Sequence, residues 1–220
     1  MKLLFLTPQL PYPPHQGTTI RNFHLLAGLA RDHEIALLSF ANPAESVDAT
    51  PLPDLCYRLE TVPMPPARPL TQRLVTTLTS PQPDMALRLP SRQFLERLEA
   101  WVQDETFDVI QVEGIEMGPY ALALRQGRRL STRTKLVFDD HNAEYVLQRR
   151  AFLTDVGQPT RWPAAGYSLI QWLKLRRYER LVCQAADRVV AVSETDAEAL
   201  RRLMPGLRPA IVPNGVDVNF

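Results

Sequence analysis

Cysteine is nearly absent from this chain. Cys56 and Cys183 are the only two in 220 residues. They show no metal-ligand spacing and no disulfide framework, which fits a reducing compartment and reads both as core thiols. Long apolar runs are absent as well. Leu3-Leu4-Phe5-Leu6 is broken by Thr7-Pro8 and is too short for the apolar stretch of a secretion signal. Nothing approaches the ~18 apolar residues of a membrane-spanning helix. No charge of one sign accumulates: the formal net charge is +1, which makes no argument for nucleic acid. Neither the glycine-rich dinucleotide fingerprint nor the P-loop pattern occurs. No metal cluster, internal repeat or low-complexity tract is visible. What remains is a cytoplasmic protein that meets a membrane only at its surface.

The composition, 45% hydrophobic and 22% charged, is ample for a full core, and the length allows one large domain or two small ones. Lys2–Thr7 reads as a short buried strand ended by proline. The stiff loop Pro8-Gln9-Leu10-Pro11-Tyr12-Pro13-Pro14-His15-Gln16-Gly17 follows. A helix then runs over 18–31, capped by Thr18 or Thr19. Further strands are expected at 33–40, 57–62, 107–112, 134–139, 188–192 and 210–212, and helices at 70–79, 91–103, 117–125, 143–153 and 164–186. Ser193 caps another helix, with Glu194 and Asp196 in its first turn. Strands alternate with helices from end to end, which predicts an α/β, Rossmann-like, doubly wound parallel sheet.

One stretch organises the rest: Val137-Phe138-Asp139-Asp140-His141-Asn142-Ala143-Glu144-Tyr145. It begins as a buried strand, turns acidic and polar, and then enters a helical pattern. Open α/β sheets hold ligands at such strand ends, and the following helix offers unpaired N–H groups suited to an anion. His141, beside Asn142, is the leading functional candidate; the alternative is a hydrogen-bonded structural histidine. Asp140 reads as a cap for the following helix. Glu113, before Gly114, ends another central strand and is a second crevice candidate. Gly17 stands where a phosphate could approach backbone N–H groups, or serves only the turn. Arg125, Arg128, Arg129, Arg133 and Lys135 form a basic loop with two readings, a solvated surface or a patch for anionic lipid headgroups.

Several pieces together resemble the N-terminal domain of the GT-B glycosyltransferases, in the retaining group called glycosyltransferase family 4. They are the proline-rich loop ending at Gly17, the Asp140-His141-Asn142-x-Glu144 stretch, Arg177-Tyr178-Glu179-Arg180, the run Ala186–Glu194, and Pro213-Asn214-Gly215-Val216-Asp217. The resemblance is nearest to bacterial sugar transferases of polysaccharide or exosortase-associated clusters. It implies an acceptor-side domain over 1–212 and the start of an interdomain linker over 213–220, with the donor domain beyond the chain, so that this fragment alone would not transfer sugar. It implies further that His141 sits near the transferred sugar, that the backbone at Gly17 and Thr18 approaches the donor diphosphate, and that Glu113, Asn142, Asn214 and Gly215 belong to the substrate side. Relatives often carry two glycines where this chain has Gln16-Gly17.

The implied reaction moves a sugar from a nucleotide-sugar co-substrate to a glycan or lipid-linked acceptor, with retention, without a metal or other cofactor, at the inner face of the membrane. Asp140 or Glu113 would orient the acceptor hydroxyl. Two alternatives stay open: a non-catalytic module that binds a glycan or lipid acceptor, and a sugar-nucleotide epimerase-like protein.

Overall fold

A computed structural model describes residues 1–127 and 130–215. Arg128 and Arg129 of the basic loop, and Val216-Asp217 of the final motif, lie outside the described residues. Seven strands form one sheet: β1 (Lys2–Thr7), β2 (Glu34–Ala41), β3 (Arg58–Pro63), β4 (Val109–Glu113), β5 (Lys135–Asp140), β6 (Arg188–Ala191) and β7 (Ala210–Ile211). Their order is β3-β2-β1-β4-β5-β6-β7, and every neighbouring pair is parallel. The helices are α1 (Gly17–Leu29), α2 (Leu52–Leu55), α3 (Leu70–Thr79), α4 (Arg92–Asp104), α5 (Gly118–Gln126), α6 (Glu144–Val156), α7 (Trp162–Ala185) and α8 (Glu194–Leu203).

The central strands are apolar on both faces because helices cover both. In β1, Leu4 and Leu6 join Leu38, Phe40, Ile110 and Val112 beneath Phe94, Trp101, Tyr120 and Val182. The alternate residues Leu3 and Phe5 join Ile35 and Leu37 on the other face, against Leu26 and Leu52. Each such side chain, fully buried, contributes about 1.5–3 kcal/mol. Cys56 and Cys183 are buried free thiols; burial pushes Cys56 up to about 12 and raises Cys183 as well. Among the described residues no helix is long and apolar enough to cross a membrane.

Strand order reverses between β1 and β4. The loops leaving these two strands diverge to opposite faces, and the crevice that opens between them is the ligand position of this architecture.

Two helix boundaries differ from expectation for local reasons. Neither Thr18 nor Thr19 caps α1: the N-cap is Gln16, whose N–H donates to Thr19 Oγ1 at 3.0 Å. The segment 154–162, expected as a loop, is mostly helical. α6 runs to Val156, a single turn follows at Pro159–Arg161, and α7 begins at Trp162. Pro159 and Pro163 sit in first turns, where proline starts a helix rather than breaking it.

Candidate functional site

The crevice at the carboxyl ends of β1, β4 and β5 is a cleft of about 370 Å³. Pro8, Gln9, Gln16 and Thr18 line it from the first loop, Gly114 and Glu116 from the end of β4, and His141, Asn142 and Glu144 from the end of β5. His141 is thus placed where its strand-to-helix corner suggested. Glu113, the last residue of β4, is fully buried directly behind it, and its Oε2 lies 2.7 Å from His141 Nε2. Gly114 follows with φ +81°, and a Cβ there would lie 3.3 Å from Glu116 Oε2 and 3.6 Å from His141 Nδ1. Glycine is favoured there by the positive φ and by the tight approach of the Glu116 carboxylate, while the imidazole lies at ordinary contact distance.

The pair is part of a larger charged cluster. Asp139 is fully buried, and its Oδ2 accepts hydrogen bonds from Arg21 Nε at 3.2 Å and Nη2 at 2.8 Å. Arg21 Nη1 donates to the Val212 carbonyl at 2.9 Å and to Asn214 Oδ1 at 3.0 Å. With its amide turned to donate, Asn22 reaches Glu113 Oε2 at 2.9 Å and the Thr18 carbonyl at 3.2 Å. Burial opposes charge on His141, but the hydrogen bond and the field of Glu113, with Asp139 behind, outweigh it and hold the imidazole above its ordinary pKa. Burial and the nearby Glu113 charge push Asp139 up to about 6 against the pull of Arg21. The cluster therefore sets the Glu113 and Asp139 carboxyl groups against the Arg21 guanidinium and an imidazole that readily takes a proton.

No metal cluster was expected, yet Glu113, Asp139 and His141 place one possible ligand atom each within 4.8 Å of one another. Glu113 Oε1 and Asp139 Oδ1 have no hydrogen-bond partner among the described residues. A cation there would compete with Arg21 for Asp139 and with His141 for Glu113, so these four side chains already balance one another's charge.

The start of α6 departs from expectation in two ways. Its first N–H groups are not free for an anion, and Asp140 does not cap it. The cap is Glu179 of α7, whose Oε1 accepts from Glu144 N and whose Oε2 accepts from Tyr145 N, each at 3.0 Å. Ala143 N donates to Asp196 Oδ1 at 3.2 Å. Asp140 is fully buried against the Glu179 carboxylate. Burial and the Glu179 charge raise it well above the usual range, and burial raises Glu179 to about 7. Asp140 therefore favours its protonated form, and neither of its carboxyl oxygens has a hydrogen-bond partner among the described residues.

Asp140 borders the cleft with its side chain fully buried, and Glu113 is fully buried behind His141 and outside the cleft lining. Glu144 is half-buried on the cleft wall. Burial and the Glu116 charge push it up to about 7.

The remaining candidates fall into two places. Thr18, His141 and Asn142 share the cleft. Gly17, Asn214 and Gly215 line a separate, more apolar groove of about 810 Å³ on the other side of α1, with Ile20, Arg21 and Leu25. A Cβ on Gly17 would meet nothing within 4 Å, so within this chain the turn does not demand glycine. The basic loop enters the amino end of β5, opposite the cleft. Its first member is already committed: Arg125 donates to the Ala185 carbonyl at 2.7 Å and to Asp187 at 2.6 Å, tying α5 to the start of β6. Arg21 and Asn22 carry no motif in the sequence, and Asp139 and Glu179 stand within quoted motifs without a role assigned to them. A signal for Arg21 and Asn22 exists: with Thr18 they are spaced i, i+3, i+4 and share one helix face.

The family model described as Glycosyltransferase Family 4 matches residues 16–220. No protein of curated function matches the chain. Among solved structures, the apo lipopolysaccharide outer core galactosyltransferase WaaB aligns with 12% identity and a TM-score of 0.52 over 99% of this chain and 47% of its own. UGT2 of Phytolacca americana, complexed with UDP-2fluoro-glucose and pterostilbene, aligns with 12% identity and a TM-score of 0.55 over 98% of this chain and 54% of its own. A UGT of Medicago truncatula complexed with UDP-glucose aligns with 12% identity and a TM-score of 0.53 over 97% and 51%. The chain spans about half the length of these structures; at such identities the likeness is one of fold.

Proposed function

The chain belongs to glycosyltransferase family 4, and from that premise we propose that it forms the acceptor side of an enzyme that moves a sugar from a nucleotide-sugar donor to a glycan or lipid-linked acceptor, with retention. The observation that carries this reading is the His141–Glu113 pair at the point where strand order reverses, opening on a cleft. His141, held toward its charged form, donates a hydrogen bond to the sugar or the leaving oxygen and is not a nucleophile. Positioning and electrostatic stabilisation of the departing diphosphate supply most of the rate in such a transfer. The first N–H groups of α1, at Gly17 and Thr18, have no partner within the helix and would face the diphosphate. Asn214 and Gly215 follow on the same flank of α1 as Gly17 and would begin a linker to a donor-binding half.

Glu144 takes the acceptor-orienting role. With its pKa pushed up to about 7, it can accept a hydroxyl proton at neutral pH. Arg21 supplies the fixed positive charge beside the two carboxylates, which supports transfer without a metal. We place the enzyme in bacterial polysaccharide assembly at the cytoplasmic face of the membrane, with a uridine nucleotide donor, as the solved UGT complexes suggest by fold.

The test is transfer of label from UDP-sugars to candidate acceptors, with this chain joined to its donor-binding half. His141→Ala is expected to cut turnover by roughly 10²-fold or more while the melting curve stays cooperative. Glu144→Gln should lower kcat and flatten the acid limb of the pH profile. Near-normal turnover of His141→Ala removes this histidine from the reaction; acceptor-independent interconversion of the sugar would mark an epimerase, and binding without turnover a recognition module.

A further inference from the structure

The helix α3 is turned inside out. Its sequence, LTQRLVTTLT, places Leu70, Leu74, Val75 and Leu78 along one side. Those are the side chains left in solvent, at 68%, 50%, 59% and 79% exposure. The polar side packs on the protein instead. Thr77 is buried and its hydroxyl accepts from Gln171 Nε2 at 3.0 Å. Arg68 Nη1 donates to Thr76 Oγ1 at 3.1 Å, and Lys174 Nζ donates to the Thr77 carbonyl at 2.6 Å. A helix lying on a protein core ordinarily turns its leucines inward. Here the hydrogen bonds of Thr76, Thr77 and Arg73 hold them outward.

What adjoins this apolar face is cationic. Arg68, Arg73 and Arg88 all pair with the one carboxylate of Asp84, and Arg88 also reaches Glu116 at 3.1 Å. With Lys174 that makes four cations against two carboxylates, and no Asp or Glu lies between Glu60 and Asp84. The arginines line a groove of about 590 Å³ together with Pro65, Pro66 and Ala67. This groove shares Met64, Arg88 and Leu89 with the cleft that holds His141. Three chemistries are therefore continuous: an exposed apolar helix, an arginine-lined arm, and the histidine corner.

We infer that α3 docks on an anionic lipid surface and that the arginine arm receives the phosphate of a lipid whose sugar headgroup reaches His141. The substrate class is a phosphate-linked lipid held in a membrane; in naming the acceptor, this rests on the transferase reading above. Apolar side chains on one side and guanidinium groups beside them are the two elements of an interfacial helix site. Excess cation selects a headgroup that carries phosphate over a neutral glycan.

The experiment is co-sedimentation of the chain, without donor, with vesicles of phosphatidylcholine alone or mixed with phosphatidylglycerol. Binding to the anionic vesicles that weakens with salt is expected. Leu74→Ser with Leu78→Ser should lower that binding on the order of tenfold or more with an unchanged melting temperature, since both side chains are already exposed. Arg73→Gln should lower binding to the anionic vesicles on the order of fivefold and leave the neutral ones unaffected. Undiminished binding of the leucine variant overturns the inference. So does absence of vesicle binding together with self-association that the same serines abolish, which would put a second copy on this face. Transfer to a soluble phosphate-free acceptor by an enzyme that ignores vesicles would overturn the lipid assignment and leave the transferase reading standing. Leucine-dependent vesicle binding by a chain that transfers no sugar would sustain the docking surface and sink the transferase reading.

Discussion

Glu113→Gln isolates what the carboxylate does for His141. Because Glu113 lifts the imidazole against the effect of burial, the neutral amide should let the His141 pKa fall to or below its ordinary value of about 6.5. An NMR titration of the ring protons reads this directly, and an unmoved value would show that another group holds the imidazole up. The sign for stability follows. A histidine with a raised folded pKa contributes stability that is complete below its unfolded pKa and is lost as pH rises through the folded one. Gly114→Ala forces a Cβ into a positive-φ position 3.3 Å from Glu116. It should cost about 1–2 kcal/mol, read from a denaturant midpoint, and push the Glu116 carboxylate aside on the cleft wall. At this scale the sequence was partly legible. His141 and Glu113 stand at strand ends, and strand ends can be read from apolar runs followed by polar residues. Arg21 and Glu179 could not be found that way, because their partners lie far along the chain, at Asp139 and at Glu144 and Tyr145.

At the scale of elements, α6 depends on a cap supplied by another helix. Asp140 and Glu179 both have folded pKa values raised above the ordinary carboxylate range. The stability they contribute is fully present below about pH 4, the unfolded value, and is lost as pH rises through the folded value of Glu179, about 7. The unfolding free energy should therefore decline between pH 5 and pH 8, by at most about 1.4 kcal/mol per pH step of one for each proton released. Asp140→Asn removes one of the two buried titrating groups and should flatten that decline; an equally steep profile in the variant would place its origin elsewhere. Ser193 offers the contrast of a cap that sequence alone revealed. Its Oγ accepts from Asp196 N at 3.1 Å, and Ser193→Ala should cost about 1 kcal/mol. The difference is locality. A cap within three residues leaves a sequence pattern, whereas Glu179 lies 35 residues from Glu144. The same locality explains α1, where Thr19 was read as a cap but in fact holds the backbone N–H of Gln16.

For the molecule as a whole, the parallel sheet was legible because alternating strands and helices leave few other arrangements. Its chiral crossovers then fix the cleft at the carboxyl ends. The long-range stitching was not legible. Arg21 joins α1 to β5 and to the segment leaving β7 with four hydrogen bonds. Arg21→Ala leaves Asp139 buried without its main counter-charge and should cost about 3–5 kcal/mol. Hydrogen exchange at Val212, whose N–H bonds to the Ala191 carbonyl at 2.9 Å, should rise sharply, while Arg21→Lys recovers part of the loss. Unchanged protection at Val212 would show that β7 holds itself.

The connection from β3 to β4 carries a last consequence. One helix, α4, returns the chain across the sheet, yet residues 64–91 first build a buttress of α3 and the arginine arm that is rooted in the core through Ala86 and Leu89 and in α7 through Gln171. Rebuilding it would redirect where the molecule perches and what it reaches for, and would also reshape the wall that Met64, Arg88 and Leu89 give the histidine's cleft.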